Sequence, residues 1–264
     1  MLGKLLKYDL KWILKGLMVF YILALIFAVI GRGLVEIENS LILNIVGKVC
    51  QGITISMVIN ILINNLMRVW TRFVRNAYKD ESYLTHTLPV SKKTIYLSKI
   101  LSAIITMVAS GVVIIVSLAI SYYSEATLEF LRNTIEIIAN SYNSTIIGFV
   151  LTMFGVLVLE LIFALLAGYM GIILGHKSNN MKMLKSTMYG FLAFMIPSIV
   201  TLIIVFIAGL FNPDIMNLFF SENDILNIDI MKNVLYLSIG LYVIYIAIYY
   251  KISSNIFVKG VNID

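Results

Sequence analysis

Glu160 is the only acidic residue deep within a long apolar run of this chain, in GVLVLELIFALL. An ionised carboxylate is costly in hydrocarbon, so such a residue is expected to face a bundle interior or a wet cavity. Its possible roles are substrate or proton contact and helix packing. No Lys or Arg deep within the apolar runs offers it a partner. Asn60 and Asn64 lie four residues apart in a second run and share one helical face, able to bond across helices. Beyond these, residues suited to catalysis are few. There is no GxxxxGK[ST], HExxH or GxSxG. His86 and His176 stand far apart and read as solvated loop residues. The single cysteine, Cys50, excludes an internal disulfide and a multi-cysteine metal site. The outer acids lack calcium-loop spacing. We therefore expect no catalytic residue, no cofactor and no metal, and read the chain as no enzyme in its own right.

The elements that position these residues are set by composition. The 264 residues are 60% hydrophobic and 13% charged, with a mean hydropathy of +0.96. Soluble domains carry about 25% charged residues. So few charges cannot cover a water-facing surface, which implies an integral membrane protein. A helix crosses the hydrocarbon core with about 20 apolar residues. Six stretches qualify, at 16–35, 49–67, 100–123, 146–174, 188–211 and 234–250. The expected fold is all-α, a single bundle of six transmembrane helices over residues 1–264.

Orientation follows from the basic residues. With the N-terminus inside, 16 of the 20 Lys and Arg fall in inner segments. Only Arg32, Lys48, Arg132 and Lys232 lie outside, and the outer loops are acidic. This bias predicts an N-in, C-in topology. The first apolar run is long enough to span and lacks a small-x-small cleavage site, so it reads as an uncleaved signal anchor.

Two segments outside the spans carry helical patterns. Lys4, Lys7, Lys11 and Lys15 form one stripe, with Leu2, Leu6 and Ile13 opposite, which predicts an N-terminal interfacial helix on lipid headgroups. Asp9 interrupts its apolar side, so the helix should lie shallow. In the second outer loop, Leu128, Leu131, Ile135 and Ile138 oppose Glu125, Glu129, Arg132 and Glu136, an amphipathic helix resting on the membrane or capping the bundle. Small residues recur at Ala167, Gly171 and Gly175, a face for close helix packing. Pro197 is placed to kink the fifth span.

The inner segment 68–99 is long and punctuated. Arg68, Arg72, Arg75 and Lys79 extend the second span with one basic face. Asp80 is placed to cap a short helix through ESYLTH. Leu88-Pro89 ends it, and Ser91 caps a new helix that runs into the third span.

The run DESYLTHTLPVSKKTIYLSKIL, Asp80 to Leu101, resembles the cytoplasmic loop of type-2 ABC exporter permeases. In that family an acidic residue precedes a leucine-rich turn, Leu-Pro-Val-Ser, basic residues and a lysine at the mouth of the third span. The resemblance implies a permease subunit that dimerises, as homodimer or heterodimer, and pairs with a separate ATP-binding cassette ATPase. It assigns ATPase coupling to Asp80, Glu81, Tyr83, Leu84, Leu88, Pro89, Val90, Ser91, Lys92 and Lys93. The expected cargo is an amphipathic peptide, drug or lipid, and the expected location is the bacterial plasma membrane. Glu160, Asn60 and Asn64 are the candidates for the translocation path. Two other readings fit the same composition: an ion-coupled secondary transporter, and a membrane anchor or sensor that recruits a cytosolic partner.

Overall fold

The computed structural model describes residues 1–37, 40–213, 215–216 and 228–260. Most of the third outer loop, including Glu222 and Asp224, lies outside the described residues, as does the expectation that it binds no metal. Among the described residues the chain is helical without strands. Its helices are α1 (Leu2–Val35), α2 (Leu41–Ala77), α3 (Ser82–Thr87), α4 (Lys92–Tyr122), α5 (Glu125–Ser141), α6 (Ile146–Gly175), α7 (Lys182–Phe211) and α8 (Ile228–Lys259). All but α3 and α5 are long and apolar enough to cross a membrane. These are the six expected spans, each extended past its apolar core.

The extensions matter. α1 has 34 residues and α2 has 37, about 51 and 55 Å at 1.5 Å per residue. The hydrocarbon core is about 30 Å thick. No proline precedes Pro89, so nothing interrupts either helix. The lysine stripe is therefore the first four turns of α1 itself, continuous with the span and not a separate element.

The chain divides into two compact units, the first covering Met1–Phe130 and the second beginning at Leu131, so the boundary falls within α5. In unit 1, α1 packs against α2 and α4. Its buried face is Asp9, Ile13, Leu17, Tyr21, Ala24, Ala28 and Gly31, residues three or four apart. The buried face of α4 is rich in hydroxyls: Ser98, Ser102, Thr106, Ser110, Ser117 and Ser121. Lipid is as apolar as leucine, so helices associate there through small residues and hydrogen bonds rather than water exclusion. One such knot ties all three helices. Asn65 Nδ2 donates to Ser110 Oγ at 2.6 Å, Tyr21 and Ser110 share a hydrogen bond at 2.7 Å, and Thr106 Oγ1 donates to Asn65 Oδ1 at 3.1 Å. Asn65→Leu leaves the Ser110 and Thr106 hydroxyls short of a partner. We expect a loss of about 1 kcal/mol, read as a small fall in melting temperature of the detergent-solubilised chain. An unchanged melting curve would show that the knot is idle.

In unit 2, α6 packs against α7 and α8. Gly171 and Gly175 abut Gly190 and Ser186 of α7, the close approach expected from the small-residue spacing. Phe163 stacks at the centre of an aromatic group with Phe194, Tyr242, Tyr245 and Tyr249, at centroid distances of 5.5–6.3 Å. Pro197 is buried inside α7, which runs unbroken from Lys182 to Phe211. α5 forms as expected, but Leu128, Leu131 and Ile138 remain exposed on it.

Candidate functional site

The densest polar cluster joins the N-terminal ends of α1 and α4 to the C-terminal end of α2. Lys99 Nζ donates to both oxygens of Asp9 at 2.7 Å and to Asn76 Oδ1 at 2.5 Å. Arg72 spans two carboxylates, with Nε on Asp9 at 2.9 Å and a terminal nitrogen on Glu81 at 2.7 Å. Asn76 Nδ2 adds a second donor to Glu81, at 2.5 Å. Asp9 is 2% exposed and Lys99 4%. Buried charges persist only when paired and hydrogen-bonded, and each charge here has at least two partners.

The cluster gives Asp9 a role that its position on the helix did not show: it is the carboxylate around which three helices close. The arginines of α2 share one face, as expected, and that face is turned onto α1. Arg68, Arg72 and Arg75 all lie over the Trp12 ring of α1, at 5.7, 5.5 and 5.8 Å from its centroid. The attraction of a guanidinium for an aromatic face adds to the ion pairs.

α3 hangs from this cluster. Glu81 precedes the helix and is held by Arg72 and Asn76, while Arg75 stands 4.0 Å away. Ser82 and Thr85 are the buried side, and Thr85 Oγ1 donates to the Glu81 carbonyl. His86 is half-buried, its Nε2 3.1 Å from the Ala77 carbonyl oxygen, rather than solvated. On the other side, Tyr83 and Leu84 are 70% and 73% exposed, with Leu88 also exposed. Asp80 does not cap α3: Glu81 holds the cap position without a side-chain bond, and Asp80 turns toward Arg75 at 3.9 Å. Helix α3 stops at Thr87, with Leu88 extended before Pro89 as expected. Ser91 caps α4 by accepting from the Thr94 amide at 3.2 Å. Pro89, Ser91 and Lys93 are exposed, and Val90 and Lys92 partly so. Next to α3, Tyr78 is buried. That burial, then the neighbouring Tyr96, raises its hydroxyl pKa well above the usual range, so the ring stays neutral.

The structure thus brings all ten coupling candidates into one segment, with Glu81 as its anchor and Tyr83, Leu84 and Leu88 as its open apolar surface. Sequence reasoning did not assign Asp9, Arg72, Asn76 or Lys99 to the site. The available signal was a lone acid on the apolar side of a basic helix, which asks for a buried cation.

The path candidates are placed differently. Asn60 is exposed and Asn64 half-buried on one face of α2. Their amides donate to the Ser56 and Asn60 carbonyls of the same helix, both at 2.9 Å, not across helices. Glu160 is exposed on α6 in unit 2 rather than turned into the packed interior of that unit. His176, also read as solvated, is 1% exposed, with Nδ1 2.9 Å from the Ile172 carbonyl oxygen and 3.3 Å from Ser186 Oγ. Among the described residues no group of His, Cys, Asp and Glu is placed to hold a metal.

No family model, no curated protein and no solved structure matches this chain.

Proposed function

We propose that this chain is the membrane-spanning permease subunit of an ATP-driven ABC exporter, working as a dimer with separate ATPase subunits. The observation that carries the reading is α3. It is a short helix at one end of a membrane bundle, exposing Tyr83, Leu84 and Leu88 while fastened through Glu81 to a buried ion-pair cluster on three long helices. An exposed apolar surface on such a helix suits a protein partner. A rigid link behind it suits the transmission of force. Arg72 bridges Glu81 to Asp9, and Lys99 joins Asp9 to α4, so a push on α3 would move α1, α2 and α4 as one body. The resemblance of Asp80–Leu101 to the family's cytoplasmic loop points the same way.

In this reading α3 lies in the cytoplasm, both termini are inside, and the Lys4–Lys15 stripe lies at the inner membrane surface of a bacterial cell. Asn60, Asn64 and Glu160 are polar groups left exposed on membrane-crossing helices. They face the path of an amphipathic cargo in the assembled dimer, where water or substrate solvates them.

The test uses the chain co-expressed with a candidate ATP-binding cassette subunit from the same genome. Leu84→Asp with Tyr83→Ala should abolish co-purification and reduce ATP-driven uptake into inverted vesicles to background. The melting temperature of the permease should stay unchanged, because both side chains point away from the bundle. Retained association and transport would sink the coupling assignment. Glu81 variants are a poor test, since Glu81 holds the loop together. Uptake driven by an ion gradient without ATP would instead favour a secondary transporter built around Glu160. ATPase association without any cargo movement would favour an anchor or sensor.

A further inference from the structure

Three arginines share the Trp12 ring, but they are not equally neutralised. Arg72 has Asp9 and Glu81, and Arg75 has Asp80 and Glu81 within 4.0 Å. Arg68 has no carboxylate within ion-pair distance among the described residues, and its guanidinium lies against Trp12 and Gly16 of α1. Of the three arginines over the ring, Arg68 is the one whose positive charge no carboxylate offsets at ion-pair distance among the described residues.

Its seat is specific. Gly16 lies directly under the guanidinium, where any Cβ would occupy the same space. Trp12 and Gly16 stack one helical turn apart, and Lys11 and Lys15, both exposed, flank them on the solvent side of α1. Arg68 also closes the apolar stretch 49–67 of α2, which puts its depth at the edge of the hydrocarbon. An aromatic ring at that depth is at home among headgroups. A planar guanidinium fork without a carboxylate partner, with exposed lysines on the same turns of α1, at the rim of a bilayer, fits a phosphodiester whose acyl chains lie along the apolar side of α1 and α2.

We propose that Arg68, seated on Trp12 and Gly16 and flanked by Lys11 and Lys15, holds the phosphate of an anionic phospholipid at the α1–α2 seam. The assignment rests on the reading that this end of unit 1 lies at a membrane surface. It needs neither an ATPase nor transport, so it can fail while the exporter reading stands.

The experiment is native mass spectrometry of the full chain in detergent, titrated with phosphatidylglycerol or phosphatidylcholine. The wild type should bind its first phosphatidylglycerol in preference to phosphatidylcholine. Arg68→Gln should weaken that first binding roughly fivefold, the scale of one basic residue at an anionic surface. Gly16→Ala keeps every charge but displaces the guanidinium, and should also erode the preference. It carries the test if Arg68→Gln does not fold. Arg132→Gln, on the exposed side of α5, should change nothing. Excess inorganic phosphate should not displace the lipid. Equal binding of the two lipids by the wild type, an undiminished preference in both Arg68→Gln and Gly16→Ala, or displacement by inorganic phosphate alone would each overturn the site.

Discussion

Asp9→Ala should cost unit 1 about 3–5 kcal/mol, the scale for breaking a buried ion pair from one side. The substitution takes from Lys99, which is 4% exposed, the carboxylate whose two oxygens it contacts, leaving Asn76 among its acceptors. It also removes one of the two carboxylates of Arg72. The neighbouring acids are already engaged, Glu81 by Arg72 and Asn76 and Asp80 turned toward Arg75. A fluorescence-detected size-exclusion melting curve should show a large fall, or loss of the monodisperse peak. The double substitution Asp9→Asn with Lys99→Met removes both members of the Lys99–Asp9 pair and leaves Arg72 with Glu81. It should recover more than half of the loss, because the cost lies in the stranded charge and not in the missing attraction. An Asp9→Ala protein that melts like the wild type would mean that the cluster is hydrated and loose.

Gly171→Leu should break the α6–α7 seam. A Cβ at Gly171 falls on the backbone of Gly190, and at Gly175 on the backbone of Ser186. A helix backbone cannot step aside as a flexible side chain can, so the helices must separate. Overpacking of this kind costs about 3 kcal/mol at the upper end of its usual range. Separation would also loosen the bond between Tyr249 and the Ala193 carbonyl, at 2.6 Å, one turn from Gly190. Gly155→Leu on the same helix provides the control, because nothing lies within 4 Å of a Cβ there. The first variant should lose most of the folded protein recovered from membranes, and the second should match the wild type. Equal recovery of the two would show that α6 and α7 are not held by close backbone approach.

Much of this architecture can be read without coordinates, for reasons that are local. Apolar length alone determines six helices able to cross a membrane, because a backbone in lipid must satisfy its own hydrogen bonds. Leu88-Pro89 and Ser91 end one helix and begin the next through their immediate neighbours. Gly171 and Gly175 announce a close approach by spacing. The ten coupling candidates form one segment because all of them lie between residues 80 and 93 of the chain.

The pairings were not legible. Asp9, Arg72 and Lys99 come from three helices and are separated by 63 and 90 residues from Asp9. Any of the basic residues at the same membrane depth was a possible partner for Asp9. A charge pattern shows that a lone acid requires a cation, but distance in space chooses which. The same limit applies to the arginine row of α2. Spacing placed Arg68, Arg72 and Arg75 on one helical face, and only the packing of α1 turned that face inward onto Trp12. Residue types and their periodicity determined the number of helices, their ends and the polar positions that needed company. Tertiary packing decided the company itself, because a buried charge is satisfied by whatever the neighbouring helix brings to its level, and that level is a property of three helices together.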